Sequence, residues 1–74
     1  MKASAVAASI RINGEDEPLS AATLDALLTA KEISPDRRGV AVALNGSVVP
    51  RARWADTRLT AGDVVEIVLA KQGG

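Results

Sequence analysis

Apolar and polar residues alternate over Ser9-Ile10-Arg11-Ile12-Asn13. A period of two puts Ile10 and Ile12 on one face of an extended segment, the pattern of a half-buried strand. Asn13-Gly14 follows and signals a tight hairpin turn. The return strand, around Glu15 to Leu19, is expected to be short, because Pro18 donates nothing to a ladder; Leu19 should point inward. The period then changes. Leu24, Leu27 and Leu28 stand at i, i+3 and i+4, one apolar stripe on a helix. Thr23 or Ser20 suits the N-cap, Asp25 the first turn and Lys31 the last. Ser34-Pro35 disfavours further helix. The pattern predicts a helix from about Ala22 to Glu32, with Ile33 folding back onto the core.

Pro35-Asp36-Arg37-Arg38-Gly39 reads as a polar, solvated connection. Alternation returns in Val40-Ala41-Val42-Ala43-Leu44, with Val40, Val42 and Leu44 on one face. Asn45-Gly46 is a second hairpin signal. Ser47-Val48-Val49 should pair back until Pro50 ends the strand. Arg51 to Ala55 is long enough for one turn, in which Trp54 is expected to plug the open end of the core. Thr60-Ala61-Gly62-Asp63 then turns into a last strand, Val64 to Leu69. The order is strand, strand, helix, strand, strand, short turn, strand. One amphipathic helix must cover one face of a mixed sheet, which is an α+β architecture. The first and last strands can lie side by side at its centre, as in a β-grasp.

At 74 residues the chain forms one domain, with 47% hydrophobic residues and a single aromatic. A domain this small buries only about 60% of its unfolded surface. Lys+Arg and Asp+Glu number nine each, so the net charge is zero. No counterion-releasing surface for nucleic acid is indicated, and one aromatic cannot build a base-stacking platform. The chain has no cysteine and no histidine. That excludes disulfides and thiolate nucleophiles, and removes the commonest general base and the commonest neutral metal ligand. No catalytic residue and no metal site is assigned; the composition suits a substrate or carrier better than an enzyme. Met1 to Ser9 loosely mimics a signal peptide, with too weak an apolar region for one; residues 1–7 are read as an N-terminal extension. No stretch is long enough to span a bilayer. The expectation is a soluble cytoplasmic protein.

Two features remain outside this packing scheme. If Val65, Ile67 and Leu69 face the helix, then Val64, Glu66 and Val68 face away from it, with Ala41 and Ala43 on the neighbouring strand. Outward positions of a one-sided sheet are normally polar. This small apolar patch is therefore the candidate partner-docking surface, with Glu66 available to a partner's cation. The second feature is the ending Lys71-Gln72-Gly73-Gly74. A chance Gly-Gly ending is expected in only roughly 0.5% of chains. Ala70 to Gly74, fully extended, reaches roughly 17 Å, enough to enter another protein's active site. The chain thus divides into the extension, a β-grasp domain over 8–69 and a flexible tail over 70–74.

The run Leu44-Asn45-Gly46-Ser47-Val48-Val49-Pro50-Arg51-Ala52-Arg53-Trp54 resembles the middle of the bacterial thiamine-biosynthesis sulfur carrier proteins. Leu59-Thr60-Ala61-Gly62-Asp63-Val64-Val65-Glu66-Ile67 and Gly73-Gly74 match in the same order. The resemblance covers roughly residues 8 to 74 and implies a ubiquitin-like β-grasp fold. It also implies a carrier whose Gly74 carboxylate is adenylated by an ATP-dependent adenylyltransferase, the activating enzyme. A cysteine desulfurase or other donor then supplies sulfur to give a thiocarboxylate, which delivers it to thiazole synthase. Gly73, Gln72 and Lys71 would thread the terminus into the enzyme. No cofactor is permanently bound; ATP belongs to the activating enzyme. Many relatives carry a small residue where this chain has Gln72, which makes the tail bulkier.

Other readings share the ending. The sulfur carrier subunit of molybdopterin synthase has the same fold and chemistry with a different acceptor. A ubiquitin-like protein modifier would begin with the same acyl-adenylate. A ubiquitin-like interaction module would not use the tail at all.

Overall fold

Both Asn-Gly dipeptides do what their chemistry favours. Asn13 and Gly14 take φ of 51° and 85°, and Asn45 and Gly46 take 51° and 87°. Positive φ at both central residues is the type I′ turn that matches the twist of a hairpin. The computed structural model describes residues 8–34 and 36–70. The proposed extension over 1–7 and the tail residues Lys71, Gln72, Gly73 and Gly74 lie outside that description. The first hairpin joins β1 (Ser9–Ile12) to β2 (Glu15–Pro18), and the second joins β3 (Val40–Leu44) to β4 (Ser47–Val48). Between them lies α1 (Leu24–Ala30); a 3-10 helix (Arg51–Asp56) precedes β5 (Val64–Leu69). The sheet order is β2-β1-β5-β3-β4. β1 and β5 are parallel neighbours at the centre, and the other pairings are antiparallel. This is the expected α+β arrangement, a mixed sheet with one main helix. Pro18 sits on the edge strand β2 opposite Ser9, where its missing N–H leaves no central ladder broken.

The helix is shorter than the expected Ala22 to Glu32. Thr23 is its N-cap, extended at φ −135°, and its hydroxyl accepts the Ala26 N–H at 3.1 Å. At the other end Glu32 turns left-handed, with φ 64°. The Glu32 N–H then donates to the Thr29 carbonyl at 3.0 Å and the Ile33 N–H to the Leu28 carbonyl at 2.8 Å. These two bonds form a Schellman motif, which ends the helix and turns Ile33 toward Leu28. Ile33 is packed against the core as expected. Lys31 stands at the C-cap instead of in the last turn. Its ammonium reaches across to the Glu17 carboxylate at 2.5 Å, tying the helix end to β2.

The core is Ile10 and Ile12, Leu24, Leu27 and Leu28, Val42, Trp54, Leu59, Val65 and Ile67. The period-two and i, i+3, i+4 positions of the sequence account for most of it. Trp54 is only 2% exposed. Its indole N–H donates to the Val49 carbonyl at 2.8 Å, so the polar edge of the ring is satisfied as burial requires. The segment around it makes a longer 3-10 helix than the single turn expected. One pairing assignment, at Val49, and one inward assignment, at Leu69, need correction. Val49 leaves the β4 ladder, although its N–H still donates to the Val42 carbonyl at 2.9 Å. Leu69 is 42% exposed. A seven-residue helix spans only about 10 Å, whereas the six residues of β5 span about 20 Å; α1 is too short to cover both ends. Leu69 lies instead at a shallow groove of about 330 Å³ that also touches Ile12, Ile33 and Ile67.

Candidate functional site

Directly paired residues of neighbouring strands project to the same side of a sheet. Since Val65 and Ile67 are buried under α1, the even positions of β5 must face away from it. The register places Ala41 beside Val68 and Ala43 beside Glu66. Val64, Glu66, Val68, Ala41 and Ala43 therefore share the uncovered face. Val64 is 40% and Val68 60% exposed, Ala41 is exposed and Ala43 half-buried. One further residue joins them. Ala43 also pairs with Val48, which at 76% is the most exposed large hydrophobic residue of the described chain. The signal was present in Val48-Val49, where two adjacent strand residues cannot both face inward. The face is therefore an apolar strip running across β4, β3 and β5, with Glu66 as its one charge. Arg11 and Asp16 close its far side with an exposed ion pair of 3.0 Å, which contributes little stability.

The strand that carries this strip is fastened by both hairpin turns. At the first, the Asn13 side-chain carbonyl accepts the Ile67 N–H at 2.8 Å, and its amide donates to the Ile67 carbonyl at 3.3 Å. At the second, the Asn45 side-chain carbonyl accepts the Val64 N–H at 2.9 Å. Asn45 thus fixes the start of β5, while Asn13 extends its pairing beyond the end of β1. Asp63 completes the second clasp. One of its oxygens accepts the Thr60 N–H at 2.8 Å, and the other accepts from the Asn45 amide at 3.1 Å. The Thr60 N–H, helped by Asn45 and opposed by partial burial, holds the Asp63 carboxyl below the usual carboxylate range.

Beyond Leu69 the chain stays tied to the sheet for one more residue, because the Ala70 N–H donates to the Gly39 carbonyl at 2.7 Å. Ala70 is the last residue described, and the expected threading residues follow it in the sequence. Among the described residues no cluster of His, Cys, Asp or Glu is placed to hold a metal ion, and no helix is long and apolar enough to cross a membrane.

A five-stranded mixed sheet, with its first and last strands parallel at the centre and one helix on one face, defines a β-grasp domain of the ubiquitin-like kind. Residues 6–74 match the model of the ThiS family, and the chain belongs to that family. Over 63 residues it is 41% identical to the sulfur carrier protein ThiS of Thermus thermophilus, a match that covers 85% of this chain and 95% of that protein. Over 64 residues it is 42% identical to a thiazole synthase of Paramagnetospirillum magneticum; that match covers 85% of this chain but 19% of that protein. The crystal structure of the thiamine biosynthesis protein ThiS from Geobacter metallireducens resembles it with a TM-score of 0.72 at 29% identity, over 89% of this chain and 99% of that one.

Proposed function

We propose that this protein is a sulfur carrier of thiamine biosynthesis whose reacting group is the α-carboxylate of Gly74. The observation that carries the reading is the likeness, over nearly the whole of both chains, to a protein named as a sulfur carrier. A carboxylate is a poor electrophile. An ATP-dependent adenylyltransferase joins it to AMP and releases pyrophosphate; the persulfide sulfur of a cysteine desulfurase or another donor then displaces AMP, and a thiol cleaves the resulting acyl disulfide, becoming a disulfide with the donor. The thiocarboxylate so formed delivers its sulfur to thiazole synthase in the cytoplasm. The likeness to a stretch of a thiazole synthase supports that acceptor over molybdopterin synthase. Catalysis belongs to the partners, and the chain acts as carrier and substrate. Gly73 lets the backbone pass a narrow channel, Gln72 and Lys71 line its approach, and the strip of Val64, Val68, Ala41, Ala43 and Val48 docks the enzyme surface.

The test is to incubate the protein with its activating enzyme, ATP and a sulfur source, then weigh it intact. One oxygen replaced by sulfur is expected, mapped to the C-terminal peptide. Deleting Gly74 should leave the melting curve unchanged, since the core lies within residues 10–67. It should abolish adenylation, because the new terminus falls about 3.3–3.6 Å short and a 1 Å misplacement can cost on the order of 100-fold in rate. Gly73→Val should fold normally and be activated poorly. A wild-type protein that never gains the mass and supports no ATP–pyrophosphate exchange would sink the reading.

A further inference from the structure

The chain is neutral overall, but its charges are segregated. Residues 8–34 hold two cations and five carboxylates, a net of −3, whereas residues 36–58 hold five arginines and two carboxylates, a net of +3. Both cations of the first segment are engaged, Arg11 with Asp16 and Lys31 with Glu17. Among the described residues, no carboxylate lies within ion-pair distance of Arg37, Arg38, Arg51, Arg53 or Arg58. Asp36 and Asp56 share the lobe without neutralising it.

Three of these arginines are placed with respect to the tail. Arg51 is held in position: its guanidinium carbon stands 4.7 Å from the centroid of the Trp54 ring, and its Nη2 donates to the Arg37 carbonyl at 2.5 Å. That bond fastens the loop carrying Arg37 and Arg38 to the 3-10 helix. Gly39 comes next, and its carbonyl accepts the Ala70 N–H. The three arginines therefore stand where the chain leaves β5 toward Gly74.

We infer that Arg37, Arg38 and Arg51 form a second docking element, for a carboxylate-rich rim around the channel of the activating enzyme that receives residues 71–74. The inference rests on the sulfur-carrier reading. Guanidinium groups stay charged and pair bidentately with carboxylates. Stacking on Trp54 means that Arg51 loses little freedom on binding. The apolar strip supplies buried area, and the arginines supply approach and orientation, which is what complementary charge contributes most. Glu15 and Glu17, on the acidic β2 edge, line the groove that Leu69 borders, where the Lys31 ammonium partners Glu17, so the acidic rim is expected to meet the arginine side of Ala70 and not the groove side.

The test compares wild type, Arg37→Gln/Arg38→Gln and Arg37→Glu/Arg38→Glu with an adenylyltransferase that activates the wild type, using ATP–pyrophosphate exchange over a range of NaCl concentrations. Thermal melts establish that both variants fold. The expected result is KM raised on the order of 10-fold for the Glu pair at low salt, less for the Gln pair, with kcat nearly constant. The difference should shrink as salt rises. Unchanged KM and salt dependence in folded variants overturns the inference and leaves the carrier reading standing. Wild type without exchange against any cognate enzyme overturns both. Loss of a low-salt head-to-tail association of the chain with itself, at constant KM, also overturns it, by assigning the arginines to the acidic edge of a second copy.

Discussion

Asn45 and Asp63, eighteen residues apart in the chain, meet through a 3.1 Å hydrogen bond from the Asn45 amide to an Asp63 carboxylate oxygen. Through this contact the turn of the second hairpin and the turn before β5 become one unit. The Asn45 backbone N–H adds a bond to the Val64 carbonyl at 2.7 Å. Val64 is the first β5 residue of the exposed apolar strip proposed for docking, so this unit sets where the strip starts on β5.

Asn45→Asp would put a second carboxylate against the first. One hydrogen bond is lost and a repulsion replaces it, so stability should fall by about 1–2 kcal/mol at pH 7. The sign with pH follows from the direction of the Asp63 shift. Its carboxyl is held below its usual range when folded, so its contribution is complete above the unfolded value of about 4. That contribution is lost as pH drops through the folded value. In the variant, protonation relieves the repulsion, and the gap to wild type should narrow near pH 3. Urea titrations at the two pH values check this; an equal gap at both would mean that the carboxylates do not meet.

Trp54→Ala removes the largest side chain of the core and should cost about 3–5 kcal/mol. Trp54→Phe separates packing from polarity. It keeps most of the ring but leaves the Val49 carbonyl without its indole donor, a loss of about 1–3 kcal/mol. Thermal melts rank the three proteins; a phenylalanine variant as stable as wild type would show that the indole bond contributes nothing.

Glu32→Gly should stabilise the domain. A residue with a Cβ costs about 1–2 kcal/mol in the left-handed conformation, which Glu32 occupies at the helix end. Glycine avoids that cost but loses about 0.5–1 kcal/mol through its freer unfolded chain. A net gain of about 0.5–1 kcal/mol is expected, read as a higher denaturation midpoint at constant slope. A lower midpoint would show that the Glu32 side chain does more than occupy the cap.

Val68→Asp should fold like wild type, because the side chain is 60% exposed, and bind the activating enzyme at least ~10-fold more weakly, or about 1.4 kcal/mol. Interface centres are depleted of charge. Val48→Asp tests how far the strip extends: a weaker but measurable loss is expected at its outer end. Calorimetric titration of both variants decides, and full affinity in folded Val68→Asp would remove the strip from the interface.

Much of this was legible in the chain itself. Strand periodicity, the Leu24-Leu27-Leu28 stripe and two Asn-Gly turns are local signals, and each element forms largely for local reasons. Hairpins leave little choice of neighbour, so the β1–β2 and β3–β4 pairings followed from them, whereas the place of β5 between β1 and β3 did not. The chemistry proposed for Gly74 came from the resemblance carried by Leu44 to Trp54, Leu59 to Ile67 and Gly73-Gly74, and not from the fold. The tertiary structure decided what depends on distant partners. The Asn13 side chain bonds Ile67 across 54 residues, and nothing in Asn13-Gly14 records that. Leu69 alternates in phase with Val65 and Ile67, yet stays exposed because α1 ends too early to cover it. Arg37 and Arg38 read as a solvated loop until the Gly39–Ala70 bond brought that loop to the root of the tail. Pattern reports which residues prefer burial or a turn; only packing fixes which of them meet, because that depends on where every other element ends.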